Sequence, residues 1–107
     1  MKRIIIFGGT GFIGYHLCKK ALKNRYKVIS VSKHPPVKKR KLKNIKYINI
    51  DATKIKNFKK INQDSEFIIN AAGYGSHSRG RKGKNLYKEH ISIIKNIINY
   101  FDKDKIK

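Results

Sequence analysis

The sequence predicts an α/β fold built on a parallel sheet, and three observations support this prediction. Apolar runs of strand length alternate along the chain with segments of helical periodicity. The first run, "IIIF", is continuously apolar, which is typical of a strand that a parallel sheet buries on both faces. The glycine-rich stretch "GGTGFIG" then joins this run to the first helical segment. Strands that alternate with helices form parallel sheets through right-handed crossovers, and the 107 residues suffice for one such domain.

The first part of the chain is predicted to form a strand, a helix and a second strand. We expect the first strand at residues 3–7 and a helix over 12–24. Apolar residues recur every fourth position in that helix from Ile13 onward, whereas its lysines fall on the opposite side. The β-branched stretch "KVISV" at 27–31 predicts the second strand.

The same alternation continues through the rest of the chain. Two prolines and a basic run predict a surface loop, further apolar runs predict two strands, and the last segment has one apolar helical face. The predicted elements are a loop at 32–44, a strand at 45–50, a helix of about two turns at 54–61, a strand at 66–70, a glycine-rich basic loop at 74–84 and a helix from Leu86 to Phe101.

The stretch "GGTGFIG" contains two overlapping glycine spacings. Gly9, Gly11 and Gly14 fit the spacing G-x-G-x-x-G. Gly8, Gly11 and Gly14 fit the spacing G-x-x-G-x-x-G. In this strand-to-helix context, glycines permit a tight turn, a close approach of backbone to a pyrophosphate, and close packing of helix on strand. The N–H groups of residues 10–13 would lie at a helix N-terminus, which attracts anions. The stretch therefore predicts a dinucleotide site.

The end of the second strand bears on the choice of cofactor. An acidic residue about 20 positions beyond the glycines would bind a ribose 2′-hydroxyl and favour NAD. Ser32 and Lys33 stand there instead, and a hydroxyl with an ammonium suits a 2′-phosphate. The alternative is that Lys33 is one more lysine in a lysine-rich chain. The residues therefore predict NAD or NADP, with a slight preference for NADP.

The net charge of +21 has two explanations. Clustered Lys and Arg would indicate a nucleic-acid binder, because they neutralise phosphates. The lysines, however, are spread over every segment and far outnumber the arginines, which favours a compositional origin and makes nucleic acid an unexpected partner.

The other candidate sites are not supported by the sequence. The histidines have no metal-ligand spacing, so we expect no metal. Cys18 is the only cysteine, which excludes an internal disulfide and favours a cytoplasmic location. The apolar runs are too short to span a membrane, so we expect no membrane partner.

Four segments together resemble the extended short-chain dehydrogenase/reductases, in particular the NAD(P)-dependent epimerase/dehydratase group that acts on nucleotide sugars. These segments are "IIIFGGTGFIGYHLCKKAL", "YINIDATK", "FIINAAG" and "NLYKEHISIIKNIINYF". The resemblance implies a Rossmann-type parallel sheet in the order 3-2-1-4 with helices on both faces. It also implies that Asp51 binds the adenine amino group with Ala52 beside it, and that residues 71–73 line the nicotinamide ribose. The full set of expected cofactor-binding residues is Gly8, Gly9, Thr10, Gly11, Phe12, Ile13, Gly14, Ser32, Lys33, Asp51, Ala52, Ala71, Ala72 and Gly73.

The sequence departs from the family at several positions and in length. Phe7 stands where Thr is common, Lys54 replaces a usual second acid, and His90 replaces a usual Asn. Family members are two to three times longer, and their catalytic Tyr-x-x-x-Lys lies beyond the matched part. The match at Tyr15 to Lys19 falls in the first helix, so we interpret it as coincidence.

The resemblance therefore implies that residues 1–107 form the N-terminal part of an NAD(P)-binding domain, truncated before its catalytic residues. The fourth strand would be an exposed edge, and either a second chain would carry the C-terminal half or the chain would be a non-functional remnant. Two alternatives remain open: a stand-alone dinucleotide-binding module and a basic nucleic-acid-binding protein.

Overall fold

The computed structural model describes residues 2–61, 64–72 and 83–101. Its strands are β1 (Arg3–Phe7), β2 (Lys27–Ser32), β3 (Ile45–Asn49) and β4 (Phe67–Asn70). Its α-helices are α1 (Phe12–Lys23) and α2 (Gly83–Tyr100). Short 3-10 helices occupy Lys38–Arg40 and Ile55–Lys60.

The predicted strands and helices are confirmed, with differences in detail. The segment predicted as a two-turn helix forms a 3-10 helix at Ile55–Lys60, and the predicted loop at 32–44 contains one 3-10 turn. The last helix begins at Gly83, before the predicted Leu86, and most of the predicted loop at 74–84 lies outside the described residues.

The four strands form one parallel sheet in the order β3-β2-β1-β4, as the resemblance implied. β1 lies in the interior of the sheet, where Ile5 is in register with Ile29 on β2 and with Ile68 on β4. Because both neighbours of β1 run parallel to it, the carboxyl ends of β1, β2 and β4 meet at one edge of the sheet. The strand order reverses between β1 and β4, which is where α/β sheets ordinarily bind ligands.

One face of the sheet carries most of the hydrophobic core. Phe58 from the second 3-10 helix is fully buried there and stacks on Phe7, with 5.6 Å between ring centroids. α2 covers this face with the buried side chains Ile93, Ile97 and Phe101. The Phe101 ring meets the Phe7 ring edge-on at 6.1 Å. Aromatic pairs at such distances add to the free energy of apolar burial.

α1 covers the opposite face of the sheet, so helices lie on both faces as predicted. Its buried residues Cys18 and Ala21 pack against Ile4, Ile6 and Val28. Within the described ranges β4 pairs with β1 on one side and with no strand on the other, and an apolar groove of about 270 Å³ lies beside it on the α1 face. The groove is lined by Ile4, Leu17, Lys20, Ala21, Asn24, Tyr26, Phe67 and Ile69.

Across the described residues, neither a membrane-spanning helix nor a cluster of metal ligands is present. No helix there combines the length and the apolar character needed to cross a bilayer. No group of three or more His, Cys, Asp or Glu side chains there is placed to hold a metal ion.

Candidate functional site

The glycine-rich stretch forms a tight turn between β1 and α1. The amide of Gly8 continues the sheet by donating to the Val31 carbonyl at 2.8 Å, and Gly8 has a φ of +83°. This left-handed conformation is strained for residues that carry a Cβ. The Gly11 amide then donates to the Gly8 carbonyl at 3.0 Å, which closes the turn. α1 begins at the next residue, with Gly11 as its N-cap.

Three of the four glycines are required by packing within the protein. A Cβ at Gly8 would lie 2.6 Å from the Ala71 carbonyl carbon. At Gly14 a Cβ would overlap the Gly8 carbonyl oxygen and lie 2.8 Å from the Gly9 Cα. A Cβ at Gly9 would overlap the Ser30 hydroxyl. These three glycines therefore let the turn lie close to β2, to the segment after β4 and to α1, whether or not a ligand binds.

Gly11 differs from the other three glycines. Among the described residues, and apart from its chain neighbours, a Cβ there would meet one atom within 4 Å, the Gly8 carbonyl oxygen at 3.4 Å, which is an ordinary contact. Its φ of −80° and ψ of 178° are extended backbone that other residues adopt readily. Neither the packing of the described residues nor the backbone conformation requires glycine at this position. The open space beside Gly11 fits the close approach of a ligand to the backbone.

Unpaired N–H groups lie immediately after Gly11. The amides of Phe12, Ile13 and Gly14 have no hydrogen-bond acceptor among the described residues, and no side chain caps this end of α1. The first paired amide is that of Tyr15, which donates to the Gly11 carbonyl at 2.8 Å. Unpaired donors and the helix dipole together favour an anion at this point. The first turn of α1 contains no acidic residue that would supply that negative charge.

A cleft of about 180 Å³ opens at the carboxyl ends of the strands, beside the glycine turn. Eight of the predicted cofactor-binding residues line it: Gly8, Thr10, Gly11, Ser32, Lys33, Ala52, Ala71 and Ala72. Gly9, Phe12, Ile13, Gly14 and Asp51 lie outside its lining, and Gly73 lies outside the described residues. The remaining wall consists of Phe7, Val31, Ile50 and Ile93, with His34 at the end of β2.

His34 is the cleft residue that the sequence analysis assigned no role. Its position in the sequence could have indicated this role, because it directly follows Ser32 and Lys33 at the carboxyl end of β2. Tyr15 and Lys19, the coincidental Tyr-x-x-x-Lys match, are absent from the lining of this cleft.

Ser32 connects the glycine turn to the end of β2. Its hydroxyl oxygen accepts a hydrogen bond from the Thr10 amide at 3.3 Å. Its carbonyl accepts from the Asn49 side chain at 3.4 Å, which joins it to β3. Since the oxygen accepts from Thr10, the hydroxyl proton is available to an acceptor in the cleft. The neighbouring Lys33 is exposed and brings a positive charge to the same wall.

Asp51 follows β3 and closes a local turn. One carboxylate oxygen accepts from the Thr53 hydroxyl at 2.6 Å and from the Thr53 amide at 3.0 Å. The hydroxyl hydrogen bond is the main cause that lowers the pKa of Asp51 below its ordinary value of 3.8, although partial burial opposes it. The positive charges of Lys33 and Lys54 lower the pKa further. Asp51 is therefore an anion at neutral pH, with its second oxygen available to a donor.

Small side chains form the wall beyond β4. The Ala71 amide donates to the Phe7 carbonyl at 2.8 Å, so the chain stays close to β1 as it leaves the sheet. The Ala72 amide is held by the Asn70 side chain at 3.1 Å. On the opposite wall, Asn96 of α2 donates to the Ala52 carbonyl at 2.9 Å. These contacts fix the backbone on both sides of the cleft.

The sequence matches the family model described as the NAD dependent epimerase/dehydratase family over residues 4–107. The chain belongs to this family. The match includes β1 from Ile4 onward, the other three strands, both α-helices and every predicted site residue, so the glycine turn and the cleft lie within the matched part.

Several solved structures share this fold, and each of them is a longer protein. A UDP-galactose 4-epimerase matches at a TM-score of 0.78 with 19% identity, over 92% of this chain and 33% of that chain. A short chain dehydrogenase from Leptospira borgpetersenii, solved with bound NAD+, matches at 0.75 with 23% identity, over 92% and 44%. An L-threonine dehydrogenase from Clostridium difficile matches at 0.72 with 25% identity, over 90% and 31%. The chain thus spans less than half of the length of each of these proteins.

Proposed function

We propose that this chain is the NAD(P)-binding portion of a nucleotide-sugar epimerase/dehydratase-like oxidoreductase. The observation that carries the proposal is the open space beside Gly11, directly before three unpaired amides at the start of α1. A pyrophosphate fits this combination, because it needs both close access to backbone and several N–H donors. When bound, the dinucleotide would accept and return a hydride; the residues described here would hold it.

Each part of the cleft has a role in this proposal. The amides of Phe12, Ile13 and Gly14 would bind the pyrophosphate oxygens. Ser32 and Lys33 would contact the adenosine ribose, because they stand at the end of β2 on the same wall as Thr10. Asp51 with Ala52 would lie towards the adenine, and Ala71 with Ala72 towards the nicotinamide ribose. Their small side chains and fixed backbone leave room for these groups.

We further propose a modest preference for NADP over NAD. The Ser32 hydroxyl has a proton to donate, Lys33 is exposed, and no carboxylate stands at the end of β2 to repel a 2′-phosphate. Asp51 reduces the benefit, since its carboxylate lies near enough to Lys33 for the two charges to interact. A surface ion pair contributes about 0.2–1 kcal/mol, which predicts a roughly one- to fivefold tighter binding of NADPH.

Chemistry on a substrate is proposed to need polypeptide that corresponds to the rest of the matched structures. β4 has a vacant side among the described residues, and its sequence "FIIN" has no charge to discourage pairing. The apolar groove next to β4 would be covered by the same polypeptide. A nucleotide sugar as substrate is supported by the likeness to UDP-sugar epimerases, and the single buried Cys18 suits the reducing cytoplasm.

Calorimetric titration of the purified chain with NADPH and with NADH tests the proposal. We expect saturable binding of one dinucleotide per chain, with NADPH equal or tighter. Circular dichroism on the same sample establishes that the chain is folded. Saturable binding without any added chain would also support the stand-alone binding module as a minimal function. A folded chain that binds neither dinucleotide would exclude both.

A further inference from the structure

A second surface of the molecule combines exposed and half-buried aromatic rings with cations. It lies on the outer side of α1 and on the neighbouring 3-10 turn, and it consists of Phe12, Tyr15, His16, Lys19 and Arg40, which we call the aromatic–cation cluster. The Phe12 and His16 rings meet edge-on at 4.9 Å, and the Tyr15 and His16 rings at 5.1 Å. Phe12 is 56% exposed although it is a large apolar residue.

Cations lie over two of these rings. The Arg40 guanidinium is 5.7 Å from the centroid of Phe12, and the Lys19 ammonium is 5.5 Å from the centroid of Tyr15. Both distances are within the range of cation–π attraction. Helix spacing places Phe12 beside His16 and Tyr15 beside Lys19, since residues four apart on α1 are neighbours on its surface, and the 3-10 turn brings Arg40 to Phe12. The rings and charges are therefore held together by local geometry.

The charge of the whole chain favours an anionic ligand for this surface. The sequence has 27 Lys and Arg against 6 Asp and Glu. Between residues that the structure describes there is one ion pair, Arg3 with Asp64 at 3.6 Å. Neither Lys19 nor Arg40 is part of it. Within the part of the chain that the structure describes, the cluster thus presents positive charge without an ion-pair partner beside its aromatic rings.

Of the anionic macromolecules, single-stranded nucleic acid fits the rings as well as the charges. Unpaired bases stack on aromatic side chains and on Arg, while phosphates contact Lys and Arg. A duplex hides its base faces, and a membrane would need a wider apolar surface than these side chains provide. In the sequence analysis, the even distribution of lysines made a nucleic-acid partner unexpected. The aromatic–cation cluster is a local feature of the folded chain, and the distribution of lysines along the sequence does not reveal it.

We propose that the aromatic–cation cluster binds single-stranded nucleic acid, with bases stacked on Phe12 and His16 and phosphates on Lys19 and Arg40. Phe12 is shared with the proposed pyrophosphate site, to which it would contribute its backbone amide, whereas the ring would serve this surface. His16, Lys19 and Arg40 lie outside the lining of the cleft and have no part in the proposed pyrophosphate site, so their substitution tests this inference separately from dinucleotide binding.

The test measures the fluorescence anisotropy of a labelled 12-nucleotide oligouridylate at about 150 mM KCl, with a matched pair of variants. Lys19→Gln/Arg40→Gln removes two charges from the cluster. Lys59→Gln/Lys60→Gln removes two exposed charges from the other 3-10 helix. We expect at least a tenfold loss of affinity in the first variant and less than a threefold loss in the second. Equal losses of affinity in the two variants would overturn the proposal, because they would show that the overall positive charge alone accounts for binding.

A further variant and two competing ligands separate the remaining explanations. His16→Ala removes a stacking ring, for which we expect a roughly five- to 100-fold loss of oligouridylate binding. Unchanged binding by the folded variant would contradict stacking. The two competing ligands are a 12-base-pair duplex and phosphatidylserine vesicles. If either binds as tightly as the single strand and is equally weakened by Lys19→Gln/Arg40→Gln, the proposal of a single-stranded ligand is wrong. Circular dichroism and NADPH titration of each variant separate this result from loss of fold or of dinucleotide binding.

Discussion

Substituting alanine for Gly11 should separate binding from stability. The new Cβ would make one ordinary contact, 3.4 Å from the Gly8 carbonyl oxygen, and the backbone conformation suits alanine. Alanine is a poorer N-cap than glycine, which lowers the free energy of unfolding by about 1 kcal/mol. Alanine also reduces the conformational freedom of the unfolded chain, which raises the free energy of unfolding by about 0.4–1 kcal/mol. The free energy of unfolding should therefore change by less than about 1 kcal/mol, which is a shift in Tm of at most about 8 °C.

Dinucleotide binding should respond far more strongly to the same change. The Cβ would occupy the space through which the pyrophosphate approaches the amides of α1. Displacing the anion from two charge-assisted hydrogen bonds, at about 1.5 kcal/mol each, predicts a Kd at least about 100-fold higher. Calorimetric titration with NADPH measures this, alongside thermal unfolding by circular dichroism.

Gly14→Ala supplies the contrasting case. Its Cβ would overlap the Gly8 carbonyl oxygen and lie 2.6 Å from the Gly8 carbonyl carbon, so backbone must move. We expect a loss of about 3 kcal/mol or more, and a fall in Tm above about 12 °C or failure to fold. The reasoning would be refuted by a Gly11→Ala protein that binds NADPH like the parent, or by one that unfolds as readily as Gly14→Ala.

Three more predictions concern single side chains. Lys33→Gln should remove any preference for NADPH over NADH in titration, whereas Lys23→Gln, at the far end of α1, should leave it unchanged; equal effects would mean that net charge alone sets the preference. Burial raises the pKa of Cys18 to about 11, so the thiol should resist Ellman's reagent at pH 8 until urea unfolds the chain, and rapid labelling of the folded chain would contradict its burial. Because the folded pKa of Asp51 is lowered, its stabilisation is present above the ordinary value of 3.8 and is lost as the pH falls through the folded value. Asp51→Asn should therefore lower Tm at pH 7 and have progressively less effect on Tm as the pH falls. A variant whose Tm is still lower than that of the parent by the same amount at pH 2 would show that packing, and not the carboxylate charge, causes the loss.

The strands and helices of this fold were predictable because each has a strong local signal. β1 is continuously apolar, α1 has a clear apolar face, and glycines separate them. The parallel pairing then follows from the alternation of elements, and the family resemblance supplied the strand order. The segment at 54–61 was harder, because a short run with few apolar positions does not distinguish an α-helix from the 3-10 helix that forms.

The cleft was predicted in outline but not in its internal contacts. Glycine spacing indicated a close approach at Gly8, Gly9, Gly11 and Gly14 alike. Only three-dimensional packing shows that Gly11 is the one without a structural need for glycine. The link from Ser32 to the Thr10 amide joins residues 22 positions apart, which no local pattern reveals. His34 was overlooked although it directly follows Ser32 and Lys33, because the spacing from the glycines pointed to those two residues alone.

The central claim is that a dinucleotide pyrophosphate binds to the amides at the start of α1. A 1H–15N correlation spectrum of the labelled chain, recorded during titration with NADPH, observes these amides one by one. We predict that the resonances of Phe12, Ile13 and Gly14 shift with a common saturable curve, and that Gly11→Ala abolishes the shifts. Saturable shifts confined to residues away from the glycine turn, or none in a folded chain, would contradict the claim.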